Sequence, residues 1–276
     1  MKIVIYSPSY NPGSGGIIVL HKLCDILISL GYKAGFYLEE GGSFYVNSFY
    51  RYNTFYLKDI NLENDIVIYP EITWGNPLNF KRVVRYIMNV GHVTLGRKDT
   101  WGDKDFWVYY SERFYDGIKQ KNLLPITDSK LEYFKDYKVP RVYKECYTYR
   151  KREDDSQHID VVHSSEAIQI PFNISDQELI NLFNICERFY SYDTVTHLNV
   201  LASLCGCDSI IIPDPIDTRE EVIEKSPPLK YGVAFGLDEI ELARSTRPQL
   251  RAFLQDREEQ QIEETARIFS NIQTQI

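Results

Sequence analysis

The sequence has few of the features that mark membrane, secreted or nucleic-acid-binding proteins. No stretch approaches the roughly 20 apolar residues that a membrane-spanning helix needs. The N-terminal apolar run is broken by Ser7 and Pro8, so it is too short for a signal peptide. Lysine and arginine number 31 against 39 acidic residues, a net charge of −8, whereas binding to a phosphate backbone needs clustered cations. We expect a cytoplasmic protein that binds no nucleic acid, and peripheral contact with a membrane surface stays open.

Cysteine is also scarce. The five cysteines are odd in number and lack the paired short spacings of a zinc knuckle or a disulfide framework: Cys24, Cys146, Cys186, Cys205 and Cys207. We interpret them as packing residues in a reducing compartment. We assign no cluster of metal ligands, and we expect neither a metal nor a tightly bound cofactor.

The composition that remains is that of a globular α/β protein. Hydrophobic residues make up 43% and charged residues 25% of the 276 residues, a length that favours two compact units. Near the N-terminus, continuous β-favouring runs alternate with a segment of helical spacing. The pattern predicts strands at 3–6, 33–38 and 65–70, and a helix at 17–30 that ends at Gly31. This order of elements is typical of a Rossmann-like lobe with a parallel sheet.

The rest of the chain predicts a second lobe of the same class. Residues 79–89 carry a helical pattern, residues 99–110 look irregular to extended, and the proline-bounded stretch 125–140 is the best linker. Beyond it we expect strands at 142–149, 167–170, 188–190 and 209–213, helices at 176–186 and 194–204, and a helical tail from Leu237. We therefore expect domains at 1–130 and 131–276, as two Rossmann-like lobes with a cleft between them.

A glycine-rich turn joins the first strand to the first helix. Ser14, Gly15 and Gly16 let backbone N–H groups approach a ligand where the helix N-terminus supplies partial positive charge. The turn therefore predicts a site for an anionic, phosphate-bearing ligand. It lacks the G-x-G-x-x-G spacing of a dinucleotide site and the lysine of a P-loop, so neither NAD binding nor ATP hydrolysis is favoured. A tight turn without a ligand is the alternative.

Tyr192, Asp193 and Thr194 lie between a predicted strand and a predicted helix of the second lobe. Asp193 or Thr194 would cap that helix, which is a sufficient structural reason for either residue. A capped helix start also points its N–H groups toward a ligand such as the ribose and phosphates of a nucleotide. Both roles can coexist.

Polar residues also follow the predicted strand at 65–70. Glu71 is a candidate base for an attacking hydroxyl group, and a carboxylate that caps a turn is the alternative. Asn76, His92 and Asp99 are candidates for the acceptor side of the same site. An isolated histidine is more often structural than functional, so His92 carries less weight.

Two windows resemble a known family. Gly15-Gly16-Ile17, followed by Leu20-His21-Lys22-Leu23 and Leu30-Gly31-Tyr32, looks like the first βα unit of GT-B glycosyltransferases, especially the family-4-like enzymes of polysaccharide assembly. Ala202 to Cys207, before a strand that ends in Pro213, looks like their donor-lobe signature. The resemblance covers most of the chain as a layout, but only these two short windows as motifs.

The resemblance implies a glycosyltransferase of glycan or polysaccharide biosynthesis. We expect it to be independent of metal, because we assign no metal-ligand cluster such as the Asp-x-Asp of the other glycosyltransferase class. It implies a nucleotide-diphosphate sugar as donor, bound mainly by the second lobe, and a carbohydrate acceptor, bound mainly by the first. Arg150 and Lys151 would neutralise the diphosphate, with a basic surface turn as the alternative. The family places a second acidic residue eight positions after the first, and if Asp193 is the first, that position holds Leu201.

Two rival functions follow from this departure and from the fold class. One is a catalytically silent partner of a transferase that binds a sugar or a nucleotide. The other is an epimerase-type enzyme that modifies a nucleotide sugar and transfers nothing.

Overall fold

The computed structural model describes residues 1–11, 13–39, 51–89, 97–114, 122–149, 161–194, 196–214 and 217–275. The chain divides into two compact units, the first made of Met1–Asp128 and Arg257–Ile276 and the second of Ser129–Asp256. Each unit contains one parallel β-sheet, as expected for two Rossmann-like lobes. Within the described ranges, none of the helices combines the length and the hydrophobicity required to span a bilayer.

The sheet of the first unit has six strands, all parallel to their neighbours. They are β1 (Ile3–Ser7), β2 (Ala34–Leu38), β3 (Ile66–Pro70), β4 (Arg82–Ile87), β5 (Phe106–Tyr109) and β6 (Asn122–Leu123). Their order is β2-β1-β3-β4-β5-β6. The chain reverses its direction of travel across the sheet between β1 and β3, which makes this pair the topological switch point.

Helix α1 (Gly15–Ser29) connects β1 to β2. It packs Leu20 and Leu27 into one apolar cluster with Ile3 and Ile5 of β1. Gly31 has a φ of 85°, a left-handed conformation that glycine adopts without strain, and the helix ends just before it. The predicted strand, helix and strand at the start of the chain are therefore confirmed.

The second unit repeats this strand order. Its strands are β7 (Tyr143–Thr148), β8 (Ile168–Gln169), β9 (Cys186–Ser191), β10 (Asp208–Ile211) and β11 (Val233–Phe235), in the order β11-β10-β9-β7-β8. The helices are α2 (Asp176–Ile185), α3 (His197–Leu204), α4 (Arg219–Lys225) and α5 (Ile240–Gln275). Counted from β7, the order is the same as that of the first five strands of the chain, so β7 and β9 form the switch point here.

The end of the chain belongs to a different unit from the one the sequence suggested. The sequence pattern assigned all of 131–276 to the second lobe, but Arg257–Ile276 groups with the first unit. The reason is packing, because Ile268, Phe269 and Ile272 of α5 are almost fully buried in the apolar cluster that contains Ile3. Earlier residues of the same helix, among them Leu250, lie in the core of the second unit.

The helix expected at 79–89 is wrong, because the segment contains the strand β4. Phe80, Val83, Val84 and Ile87 have the spacing of a helical stripe, yet both faces of β4 are buried. A charged residue at Arg85 breaks the apolar run that normally identifies such a strand. Among the strands and α-helices that the structure describes, β6, α4 and β11 were not expected.

Arg85 is fully buried in the middle of β4 and is held by contacts from two loops. Its Nε donates to Asp105 Oδ2 at 2.7 Å, and its Nη2 donates to the carbonyl oxygen of Gly75 at 2.5 Å. The guanidinium also lies 4.9 Å from the ring centre of Tyr69 and 5.3 Å from that of Trp101. Arg85 therefore ties the loop after β3 to the loop before β5.

Asp105→Ala should lower the free energy of unfolding of the first unit by about 3–5 kcal/mol, because it leaves a buried guanidinium without its counter-charge. Arg85→Met should cost less, since it replaces the ion by an apolar chain of similar length. All three tryptophans, Trp74, Trp101 and Trp107, belong to the first unit, so tryptophan fluorescence during urea titration follows it. An unchanged midpoint in Asp105→Ala would contradict this role.

The control is Glu63→Ala. Glu63 and Lys81 form a 3.9 Å pair whose side chains are 71% and 66% exposed, so its loss should cost no more than about 1 kcal/mol.

Candidate functional site

Several candidate residues follow the carboxyl ends of the switch-point strands in the sequence. Ser14, Gly15 and Gly16 follow β1, and Glu71 follows β3 directly. In the second unit, Asp193 lies two residues beyond β9. Open α/β sheets bind ligands at this place, because the connections leave toward opposite faces and no element covers the strand ends.

The glycine turn leads into a helix whose N-cap residue makes no side-chain capping bond. Ser14 is the N-cap of α1, but its hydroxyl makes no capping hydrogen bond, and the first turn holds no acidic residue. A Cβ atom added at Gly15 would meet none of the described residues within 4 Å, so they leave the space beside this backbone open. The first N–H groups of α1 have no partner within the helix and are suited to an anion.

Met88 connects the glycine turn to Glu71. A Cβ atom at Gly16 would lie 3.6 Å from Met88 Cε, and the Met88 N–H donates to Glu71 Oε2 at 3.2 Å. Glu71 is only 5% exposed. Burial raises the pKa of its carboxyl group, and it outweighs the opposing effects of the N–H groups of Glu71 and Met88 and of the Arg97 charge. A buried carboxylate with a raised pKa is suited to accept a proton.

The other acceptor-side candidates differ in their surroundings. Asn76 Oδ1 accepts from the Tyr69 hydroxyl at 3.0 Å and from the Phe80 N–H at 3.1 Å, while its Nδ2 donates to the Phe80 carbonyl at 2.7 Å. These bonds give Asn76 a structural role in the turn before β4. Asp99 is exposed in a single 3₁₀ turn, Lys98–Thr100.

Trp74 is an exposed aromatic residue in the loop after β3 that the sequence analysis did not single out. It lies three residues after Glu71 and is 55% exposed, which is unusual for so large an apolar ring. The Arg97 guanidinium lies 5.2 Å from its ring centre. The loop therefore presents an aromatic face with a cation beside the buried carboxylate.

In the second unit, neither Asp193 nor Thr194 caps the helix. The N-cap of α3 is Thr196, whose hydroxyl accepts from the Leu198 N–H at 3.4 Å. The capping prediction is therefore wrong, because residues 192–194 form bends and α3 begins only at His197. Asp193 is 2% exposed, and the Ser191 hydroxyl donates to its carbonyl oxygen at 2.7 Å.

Tyr192 and Thr194 make contacts within the protein. The Tyr192 hydroxyl accepts from the Val162 N–H at 3.0 Å and contacts His163 Nδ1 at 2.6 Å, and its ring is fully buried. The Thr194 hydroxyl donates to Asp217 Oδ2 at 2.6 Å. Tyr192 therefore holds the chain after β9 against Val162 and His163. Thr194 instead binds the carboxylate of Asp217, which follows β10 in the sequence. The remaining candidates, His92, Arg150 and Lys151, lie outside the described residues.

The expected absence of an Asp-x-Asp pattern is wrong, because Asp103 and Asp105 form one. In the structure, Asp105 of this pattern has a structural use. Asp105 Oδ2 accepts from Arg85 and, at 3.1 Å, from the Gly102 N–H. Among the residues that the structure describes, no group of three or more His, Cys, Asp or Glu side chains is placed to hold a metal ion. All five cysteines are buried free thiols.

Three hydroxyl groups near the strand ends were missed by sequence reasoning. Within the described structure, the hydroxyls of Ser7, Thr73 and Thr148 are buried and have no hydrogen-bond partner. Ser7 ends β1 and Thr148 ends β7. For Ser7 and Thr148 the signal that would have found them is position, because each ends the first strand of its sheet, whereas Thr73 lies in the loop after β3.

The structure resembles a solved GT-B glycosyltransferase. The similar protein is described as an alpha-glucosyltransferase in complex with UDP and a 13-mer DNA containing a central A:G mismatch. The two chains are 15% identical with a TM-score of 0.51, and the alignment covers 96% of this chain and 95% of the other. At this identity the likeness shows the fold. No family model matches the sequence, and no curated protein is significantly similar to it.

Glu71→Gln should stabilise the first unit at pH 8, and the gain should shrink toward pH 4. Burial raises the folded-state pKa of Glu71 above its ordinary value of 4.5, so the folded protein loses stability as pH rises through that window and the carboxylate ionises. Glutamine keeps an acceptor for the Met88 N–H but carries no charge. The measurement is the urea midpoint by tryptophan fluorescence between pH 4 and 8.

Glu63→Gln is the matched control, since its side chain is 71% exposed and should show no such trend. If Glu71→Gln is less stable than the wild type at pH 8, the hydrogen bonds and charges around the Glu71 carboxylate stabilise it more than burial destabilises it.

Proposed function

We propose that the protein is a glycosyltransferase that transfers a sugar from a nucleotide-diphosphate sugar to a carbohydrate acceptor. The observation that carries the proposal is the repeated arrangement at the two switch points. Each unit has the same strand order, and each places a buried carboxylate just after its third strand, Glu71 in one and Asp193 in the other. The GT-B fold of the similar structure supports two such ligand sites in one chain.

The second unit is the proposed donor side. Helix α3 begins beside Asp193, and its first turn holds no acidic residue, so its N-terminus suits the negative diphosphate. Asp193 would accept hydrogen bonds from hydroxyl groups of the ribose or the sugar. Arg150 and Lys151 stay in the proposal as diphosphate contacts on the basis of the resemblance alone. The similar structure contains UDP, which makes UDP-sugars the first donors to test.

The first unit is the proposed acceptor side. Glu71 would take the proton of the attacking hydroxyl group as its oxygen bonds to the anomeric carbon. The bond from that carbon to the diphosphate breaks in the same reaction, and the nucleoside diphosphate leaves with the electron pair. Helix N-termini and basic side chains would stabilise the negative charge on the leaving group. The exposed face of Trp74 offers a surface on which a sugar ring can stack.

A carbohydrate fits the acceptor side better than a nucleic acid. The chain carries a net charge of −8, which opposes the approach of a polyanion. The similar enzyme was solved with DNA, so DNA belongs in the acceptor assay beside oligosaccharides. Synthesis of a glycan or polysaccharide is the biological setting that we propose.

The experiment that tests the function starts with a thermal-shift screen of nucleotide sugars, because a bound ligand raises apparent stability. Release of nucleoside diphosphate is then measured with and without acceptor. A silent binding partner would bind the donor but release nothing. An epimerase-type enzyme would convert the sugar without releasing the nucleotide.

Asp193→Asn should lower sugar transfer at least tenfold, because donor hydroxyl groups lose a charged acceptor. Since Thr196 caps α3, the substitution removes a charge and no cap. The measurement is the rate of nucleoside diphosphate release at saturating and at low donor. Transfer at the wild-type rate in Asp193→Asn would remove the donor site from this position.

Thr196→Ala is the control for helix capping. It should lower the free energy of unfolding by about 1 kcal/mol. If Asp193 has no capping role, the free energies of unfolding of Asp193→Ala and Asp193→Asn should differ by less than this amount.

Gly15→Ala should raise the Michaelis constant for the donor or the acceptor more than tenfold, about 1.4 kcal/mol, without lowering stability. The new methyl group meets no atom of the described residues within 4 Å, and alanine favours a helix over glycine, so a kinetic loss without a stability loss indicates a ligand that approaches this backbone. Urea midpoints and steady-state kinetics provide the two readouts.

Gly31→Ala, at the other end of α1, is the matched control. Its φ of 85° makes alanine strained there, so stability should fall while the Michaelis constants stay unchanged. Unchanged kinetics in Gly15→Ala would show that the glycine turn is structural only.

A further inference from the structure

Thr148 is a buried hydroxyl residue at the last position of β7. Its side chain is 1% exposed, and within the described structure Oγ1 has no hydrogen-bond partner. Burial of a hydroxyl group without a partner costs about 1–3 kcal/mol in proteins. Valine has nearly the same shape and would avoid this cost, so the structure of the unit alone gives no reason for threonine.

The position of Thr148 places it at the proposed donor site. In the parallel register Thr148 lies opposite Ser191, and the Tyr192 N–H donates to the Thr148 carbonyl oxygen at 3.1 Å. Asp193 follows one residue later. Thr148 is thus next to the chain segment that carries the buried carboxylate.

The Thr148 side chain also lies on the face of the sheet on which α3 packs. Cys146, two residues earlier in β7, packs in one cluster with Leu198 and Leu201 of α3. Since side chains alternate along a strand, Thr148 lies on that face as well, at the carboxyl edge where α3 begins. An anion at the start of α3 would therefore have a hydroxyl donor beside it.

The first unit has the same feature at the equivalent place. Ser7 ends β1, is 0% exposed, and its Oγ also has no partner within the described structure. β1 pairs with β3 from Ile3 opposite Ile66 to Ile5 opposite Ile68, and Glu71 follows the end of β3 directly. Both switch points thus combine a buried hydroxyl group at the end of the first strand with a buried carboxylate after the third strand.

We propose that the Thr148 hydroxyl donates a hydrogen bond to a phosphate oxygen of the nucleoside diphosphate part of the donor. This inference deepens the proposed function and rests on it. A phosphate oxygen is the preferred acceptor because the start of α3 favours negative charge, and a hydrogen bond to a charged oxygen is stronger than one to a neutral group. Thr148 binds the leaving group of the reaction and is not a base.

The test compares Thr148→Val with the wild type in the full chain. The ligands are UDP, GDP and ADP, each with its nucleoside, and the readouts are the dissociation constant by calorimetry and the unfolding midpoint without ligand. For the diphosphate that binds the wild type, we expect the dissociation constant to rise at least tenfold. Binding of the matching nucleoside should stay within twofold, and the stability of the free protein should stay equal or rise.

Thr246→Val is the control. Its hydroxyl donates to the Leu242 carbonyl at 3.0 Å and accepts from the Gly232 N–H at 3.1 Å, so its loss should lower stability and leave diphosphate binding unchanged. A stability loss in Thr148→Val like that of Thr246→Val would overturn the inference, because it would reveal a partner inside the protein.

The remaining outcomes separate this inference from the proposed function. If the wild type binds a diphosphate and Thr148→Val binds it equally well, the inference fails and the proposed function stands. Equal weakening of nucleoside and diphosphate would also overturn it, since the contact would then be to the ribose or the base. If the wild type binds none of the three diphosphates, the proposed function fails and the inference falls with it.

Discussion

Parallel pairing of the strands is the constraint on which both units depend. A parallel sheet that is covered on both faces requires apolar side chains along each strand, as in β3, where every residue from Ile66 to Pro70 is buried. Polar groups are then confined to the strand ends, or they need a partner inside. Arg85 shows what a polar group inside the sheet requires. Its guanidinium in β4 contacts Asp105, a backbone carbonyl and two aromatic rings. Chemistry in this chain is therefore concentrated at the carboxyl edges of its sheets.

The shared strand order makes the two switch points alike in layout, and we propose a different ligand for each. Both combine a buried carboxylate with a buried hydroxyl group at the end of the first strand. In the first unit an uncapped glycine turn and an exposed tryptophan accompany Glu71, which leaves room for a ring and a reactive oxygen. In the second unit Asp193 is followed by a short helix that Thr196 caps, a setting that favours phosphate. In the proposed function, the first of these sites would bind the acceptor and the second would bind the donor.

Local patterns predicted most strands and helices of this fold, and long-range contacts account for the errors. The strands that contain Ile3 and Ile66 could be predicted because they are continuous apolar runs. Helix α1 could be predicted because its apolar residues recur at helical spacing and the pattern ends at a left-handed glycine. The strand β4 was predicted as a helix because Asp105, which pairs with the buried Arg85, lies twenty residues further along the chain. The candidates Glu71 and Asp193 were found because they follow readable strands, whereas Thr148 has no sequence signal apart from its place in the sheet.

The first unit is discontinuous in sequence, and this has a consequence for its assembly on the ribosome. Its core includes Ile268, Phe269 and Ile272, which are synthesised after every residue of the second unit. The second unit, continuous from Ser129 to Asp256, has all of its residues available earlier. The order of folding is therefore expected to run against the order of synthesis: the part of the chain made first holds an incomplete apolar core until the last turns of α5 leave the ribosome.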